Sequence, residues 1–115
     1  MTIRIYHNPR CSKSRQTLQL IQKAGVEPVI VEYLNDPPTI RELEQLVKKL
    51  GIEPQELIRK GETLYKELGL GKRDLSRKEA IQLMHEYPKL IERPIVVKGD
   101  RAILGRPPEN VQELL

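Results

Sequence analysis

The N-terminal part of the chain carries two short strand-like hydrophobic patterns with a helical one between them. Ile3 and Ile5 alternate with Arg and Tyr, as in a short β-strand. From Ser12 onward apolar residues recur at helical spacing on one face, and Gly25 is a natural end for that helix. The run 28–34 is almost continuously apolar and β-branched, which predicts a strand covered on both faces. We therefore expect a β–α–β unit here.

The middle of the chain follows a helical pattern. Thr39 and Glu42 form a T-x-x-E capping box, and Ser76 and Glu79 form a second box of the same kind. Apolar residues follow each box at i, i+3, i+4 and i+7, which is typical of amphipathic helices. The residues after the first box are Leu43, Leu46, Val47 and Leu50. The pattern predicts an all-helical segment over residues 36–89.

The last part of the chain returns to a β pattern. Residues 93–97 and 102–105 read as two strands, and Gly-Asp at the centre of the segment 98–101 predicts a hairpin turn between them. The prolines of "RPPENVQELL" suit the start of a terminal helix.

The element order β–α–β, helices, β–β–α predicts an α/β fold with a small mixed sheet. A chain of 115 residues has room for one independent core. We therefore expect a single domain over residues 1–115, with a core formed by 1–35 and 90–115 and a helical insertion at 36–89.

Composition narrows the class of partner. Phe and Trp are absent, and the net charge is only +4, which argues against a nucleic-acid-binding protein. The start of the chain lacks the apolar stretch of a signal peptide, and no run is long enough to span a membrane, so we expect a cytoplasmic protein with no membrane partner. We also expect a monomer. The single cysteine excludes a multi-cysteine metal site, and we expect no metal.

That cysteine, Cys11, lies in the most basic part of the chain. The first 26 residues hold five basic side chains and no acidic one. Cys11 also falls at the junction of the first strand and the first helix, where unpaired backbone N–H groups stabilise negative charge. Such a position lowers the pKa of a thiol and also binds anions. A buried, inert cysteine is the alternative. We favour the interpretation that Cys11 is a nucleophile that attacks the central atom of a tetrahedral oxyanion.

Spacing excludes two related cysteine motifs. A C-x-x-C redox centre would need a cysteine at position 14, where the chain has Ser14. A phosphatase-type C-x5-R loop would need an arginine six residues after Cys11, where the chain has Thr17. An oxidised Cys11 must therefore be reduced by a thiol from outside the chain.

Three segments, "YHNPRCSKSR", "LIERPIVV" and "GRPPE", resemble the glutaredoxin-coupled arsenate reductase (ArsC) family. The resemblance implies a thioredoxin-like fold with a helical insertion. In that family the cysteine after "HNP" attacks arsenate, glutathione supplies the second thiol, and glutaredoxin clears the mixed disulfide. The resemblance thus implies Cys11 as the catalytic residue, arsenate as substrate, glutathione as co-substrate with no bound cofactor, and glutaredoxin as partner.

The resemblance also implies the residues around the anion. Arg59, Arg93 and Arg106 would bind the oxyanion, since guanidinium groups offer paired donors to tetrahedral oxyanions. By the same resemblance the Arg93–Pro94 bond would be cis, and Pro94 would lie beside the cysteine loop. The supporting residues of the loop would be His7, Asn8, Ser14 and Arg15. Asn8 and Ser14 would hydrogen-bond the loop, whereas His7 either stabilises the thiolate or simply packs.

One departure from the family pattern leaves other functions open. Arg10, Ser12 and Lys13 flank the cysteine where the reductases proper usually carry small residues and Gly-Thr, so the chain resembles a sister branch. The first alternative is a regulatory binding protein similar to Spx, which shares this fold and contacts RNA polymerase. The second is a glutathione-linked thiol sensor without turnover.

Overall fold

The structure is a computed structural model that describes residues 2–115. The strands are β1 (Ile3–His7), β2 (Val29–Glu32), β3 (Ile95–Lys98) and β4 (Arg101–Leu104), and the α-helices are α1 (Ser12–Lys23), α2 (Ile40–Leu50), α3 (Thr63–Glu67) and α4 (Arg77–Glu86). Short 3-10 helices occur at Pro54–Leu57, Leu70–Lys72, Pro88–Leu90 and Pro108–Leu114. No helix within residues 2–115 is long and apolar enough to cross a bilayer.

The chain forms two compact units. The first is the sheet unit, which holds the chain up to Asp36 together with Arg93–Leu115, and the second is the helical unit, Pro37–Glu92. That the two belong to one domain stays a prediction.

The sheet unit contains one four-stranded sheet in the order β2-β1-β3-β4. β1 is parallel to β2 and antiparallel to β3, and β3 and β4 form an antiparallel hairpin. Gly99 lies in the hairpin turn with a positive φ of 62°, a conformation that costs glycine little. The predicted α/β class with a mixed sheet is confirmed.

The core of the sheet unit lies where α1 and the C-terminal 3-10 helix cover one face of the central strands. Ile3 and Ile5 alternate along β1, and Ile5 is paired with Val96 of β3, so all three side chains lie on this face. The buried members of the cluster are Ile3, Ile5, Ile21, Val96, Val111 and Leu114. Each such aliphatic side chain contributes about 1.5–3 kcal/mol when fully buried, so this cluster holds α1 firmly on the sheet.

The prediction that the strand 28–34 is covered on both faces is wrong. The strand is shorter, Val29–Glu32, and the side chains of Val29 and Ile30 are 43% and 46% exposed. β2 is an edge strand of the sheet, and α1 and the C-terminal 3-10 helix cover the central strands instead. An apolar run can thus lie at an exposed edge.

The helical unit has the predicted caps. The Thr39 and Ser76 side chains each accept a hydrogen bond from the N3 backbone N–H, and the Glu42 and Glu79 carboxylates accept one from the backbone N–H of the cap residue. Both capping boxes are therefore confirmed. The buried face of α2 consists of Leu43, Leu46 and Val47, and that of α4 of Ala80, Ile81 and Met84. The segment is not all-helical, because Ile58 forms an isolated antiparallel bridge with Ile91.

Candidate active site

Cys11 is the N-cap residue of α1. Its backbone is extended, with φ −93° and ψ 122°, and its carbonyl accepts the N–H of Arg15 at 3.0 Å. The first turn of α1 contains no acidic residue, so no carboxylate competes for the free N–H groups at the helix start. The thiol of Cys11 is partly exposed. It therefore lies at a positively polarised helix end that an anion can also reach.

The polar side chains of Ser14 and Asn8 accept hydrogen bonds from the backbone of the loop before Cys11. The Oγ of Ser14, which is fully buried, accepts the N–H of Asn8 at 3.1 Å and is hydrogen-bonded to Nδ1 of His7 at 2.7 Å. The Asn8 Oδ1 accepts the N–H of Arg10 at 3.0 Å, and the Asn8 carbonyl accepts the N–H of Cys11 at 3.0 Å. These bonds fix the backbone on which the thiol sits.

Arg15 and His7 border the same loop. The exposed Arg15 guanidinium donates from Nη1 to the carbonyl of Pro9 at 2.9 Å. His7 is buried, and burial lowers the pKa of its imidazole below 6.5, an effect that the nearby Glu32 opposes and Arg15 reinforces. The imidazole of His7 is therefore neutral at physiological pH, where it serves as a hydrogen-bonding partner of Ser14.

Arg93 brings a buried positive charge to the thiol. Its side chain is 7% exposed, and the peptide bond to Pro94 is cis, as the resemblance implies. Within the described chain its Nε and Nη1 have no hydrogen-bond partner. Buried cationic donors without partners are costly, because they have lost their hydration without gaining a bond. An anion beside Cys11 would satisfy them.

The surroundings lower the pKa of the Cys11 thiol. Burial raises that pKa, but the backbone N–H of Ser14, the charge of Arg93, the backbone N–H of Lys13 and a hydrogen bond from Arg93 together bring it below its ordinary value. The helix start and one arginine thus stabilise the thiolate, the form of cysteine that is nucleophilic.

The other two predicted arginines occupy different places. Arg106 follows β4, donates from Nη1 to the carbonyl of Arg93 at 3.4 Å, and precedes a second cis bond, to Pro107. Arg59 belongs to the helical unit, where its Nη1 donates to Glu62 at 3.0 Å and its backbone N–H donates to Leu90. The role of both arginines in binding an oxyanion stays a prediction. Among residues 2–115 there is no group of three or more His, Cys, Asp and Glu side chains suited to a metal ion.

Comparison with known proteins decides the family. The model of the ArsC family matches residues 6–114. The chain belongs to the ArsC family. It is 47% identical to an arsenate reductase of Haemophilus influenzae, over all of both chains. It is 52% identical to the uncharacterized protein YfgD of Escherichia coli, over 98% of this chain and 96% of YfgD.

A solved structure confirms the thioredoxin-like α/β fold predicted from the sequence. The arsenate reductase from Vibrio cholerae matches this ArsC-family chain with a TM-score of 0.95 and 49% sequence identity, over 100% of this chain and 98% of the other.

Three residues near the site of this ArsC-family chain were not predicted from its sequence. Thr17 and Gly105 are in close contact beside Pro94, and Asn110 donates from Nδ2 to the carbonyls of Leu104 and Arg106, both at 3.2 Å. A glycine at the end of a strand can signal a close approach of two backbones, so Gly105 could have been singled out. Thr17 and Asn110 carry no comparable local signal.

Proposed function

We propose that this ArsC-family chain is an arsenate reductase in which the Cys11 thiolate attacks arsenate. The observation that carries the proposal is the pairing of a thiol of lowered pKa with the buried Arg93 guanidinium, two of whose nitrogens have no partner. The names of its relatives in Haemophilus influenzae and Vibrio cholerae support arsenate as the substrate.

Binding would use the donors that already surround the thiol. Arsenate is a tetrahedral anion, and a guanidinium offers it two fixed N–H groups without ever losing its charge. The free N–H groups at the start of α1 favour the same anion. Arg106, whose guanidinium donates to the carbonyl of Arg93, would add further donors. These donors offset the repulsion that an anionic substrate meets when it approaches a thiolate.

The reaction would proceed in two covalent steps. The sulfur of Cys11 bonds to arsenic, and one arsenate oxygen leaves as water after protonation. The thiolate of glutathione then attacks the Cys11 sulfur, and the sulfur–arsenic bond breaks with its electron pair left on arsenic. Arsenic(V) gains two electrons and leaves as arsenite, while the two thiols lose them as a mixed disulfide.

The chain has no second cysteine, so an external thiol must restore Cys11. A glutaredoxin thiolate would attack the glutathione sulfur and release Cys11. Glutathione keeps thiols reduced in the cytosol, so we propose that the protein acts there. We also propose that it acts as a monomer.

The test is arsenite formation by the full chain with arsenate, glutathione and glutaredoxin. We expect turnover by the wild-type protein and none by Cys11→Ser, whose hydroxyl is a far weaker nucleophile. Ser12→Ala, a change at an exposed neighbour, is the matched control and should keep turnover. Mass spectrometry after incubation with oxidised glutathione provides the contrary outcome: a Cys11 adduct in a protein that never forms arsenite would identify a thiol sensor instead.

A further inference from the structure

Gly105 lies at the end of β4 in a space too small for any side chain. A Cβ placed there would lie 2.4 Å from Oγ1 and 3.1 Å from Cγ2 of Thr17, and 2.7 Å from Cγ of Pro94. Carbon atoms in van der Waals contact are about 3.5–4.0 Å apart. The φ of Gly105 is not positive, so the need for glycine here comes from space and not from backbone conformation.

The three residues connect the two halves of the site. Thr17 lies in α1 and is fully buried, and its hydroxyl donates to the carbonyl of Lys13 at 2.8 Å and lies 3.5 Å from that of Gly105. The N–H of Gly105 donates to the carbonyl of Pro94 at 2.9 Å. One side of this contact is therefore the helix that begins at Cys11, and the other is the segment that carries Arg93.

We propose that Thr17 and Gly105 are positioning residues, and that the close approach of Gly105 to both Thr17 and Pro94 sets the spacing between Cys11 and Arg93. The proposal rests on the proposed function only in taking Cys11 as the nucleophile and Arg93 as its charged partner. A larger residue at position 105 would push Pro94 away from α1, and the adjoining Arg93 would move with it. The attraction between the guanidinium and the thiolate falls as their separation grows.

The test measures the pKa of Cys11 from the far-ultraviolet absorbance of its thiolate, with and without sodium sulfate. We expect Gly105→Ala to raise this pKa toward that of an ordinary thiol and to weaken the effect of sulfate on it. The matched control is Gly71→Ala, since a Cβ at Gly71 meets only Tyr65 at an ordinary 3.5 Å. The control should titrate like the wild type.

A double-mutant cycle with Thr17→Ala shows whether the contact is responsible. Removing the Thr17 side chain clears two of the three close approaches, so Gly105→Ala should raise the pKa of Cys11 less in the Thr17→Ala background. If Gly105→Ala alone does not fold, the double variant is tested instead, because its alanine at position 105 still lies too close to Pro94. The pKa of Cys11 in the double variant should then exceed the pKa of Cys11 in Thr17→Ala alone.

A purely structural role for Gly105 predicts a different result. Gly105→Ala, or the double variant in its place, would then unfold at lower urea concentration but keep an unchanged Cys11 pKa and an unchanged response to sulfate. That result would overturn the proposal. None of these measurements requires arsenate turnover, so a failure of the proposed function is detected separately.

Discussion

Arg93 lies near Cys11 at the end of the sheet where β1 ends and β3 begins, and its positive charge lowers the pKa of the thiol. The two residues are far apart in the sequence, but the antiparallel pairing of β1 with β3 brings the end of one strand to the start of the other. The thiol is at the N-cap of α1, and the guanidinium comes from the residue before cis Pro94. The strand pairing therefore brings a thiol and a buried guanidinium together from two distant segments.

Replacing Arg93 with methionine should impair arsenate reduction. Methionine occupies similar space but offers no donor, so the anion and the thiolate both lose a charged hydrogen-bonding partner. Removal of one such donor from an oxyanion site typically costs about 100- to 1,000-fold in rate, and we expect a loss of this order in kcat/KM. Arg41→Met, at an exposed position of α2, is the control and should keep the wild-type rate. Equal rates for the two variants would remove Arg93 from the mechanism.

A pair of variants separates the salt bridge of Arg59 from its predicted role in binding an oxyanion. Its salt bridge with Glu62 would be broken by Arg59→Met and by Glu62→Gln alike. If Arg59 also binds arsenate, only Arg59→Met should raise the KM for arsenate. Steady-state kinetics of both variants at varied arsenate concentration check this. A similar KM for both would leave Arg59 with the salt bridge alone.

Ser14→Ala should destabilise the fold. The buried Oγ of Ser14 accepts the N–H of Asn8 and pairs with His7, and its loss leaves buried polar groups without partners. We expect a decrease of about 1–3 kcal/mol in the free energy of unfolding, measured by urea denaturation. Ser12→Ala is the control, because Ser12 is exposed and starts the same helix. Similar losses for the two serines would contradict the role given to these bonds.

His7 should make stability fall in mild acid. Burial lowers the pKa of His7 in the folded protein, so the unfolded chain binds its proton at a higher pH. This contribution to stability is present above the unfolded pKa of 6.5 and is lost as the pH falls toward the folded value. The free energy of unfolding, measured from neutral to mildly acidic pH, should fall more steeply for the wild type than for His7→Gln. Parallel curves would be incompatible with a buried neutral imidazole.

Local signals predicted the helices well. A capping box involves residues three positions apart, so Thr39 with Glu42 was sufficient to predict where α2 begins. The position of Cys11 at a helix start was equally local. The exposure of Val29 depends instead on the order of strands in the sheet, which no short segment encodes.

The remaining parts of the site depend on distant pairings. Thr17 and Gly105 are 88 positions apart and meet only in the folded chain. In the sequence, Thr17 serves only to exclude a phosphatase-type loop, which would have an arginine at this position. Arg93 is predicted only because its segment resembles a known family motif, since hydrophobic periodicity does not distinguish a buried arginine from an exposed one.

We infer that Arg93 and the start of α1 hold Cys11 as a thiolate beside an anion site. The most direct measurement is the pKa of Cys11 in the wild type and in Arg93→Met, each with and without arsenate in the absence of glutathione. We predict a wild-type pKa below that of an ordinary thiol, a change on adding arsenate, and a higher pKa with a weaker arsenate response in Arg93→Met. An ordinary wild-type pKa that neither arsenate nor the substitution alters would show that Arg93 and the helix start do not stabilise the thiolate.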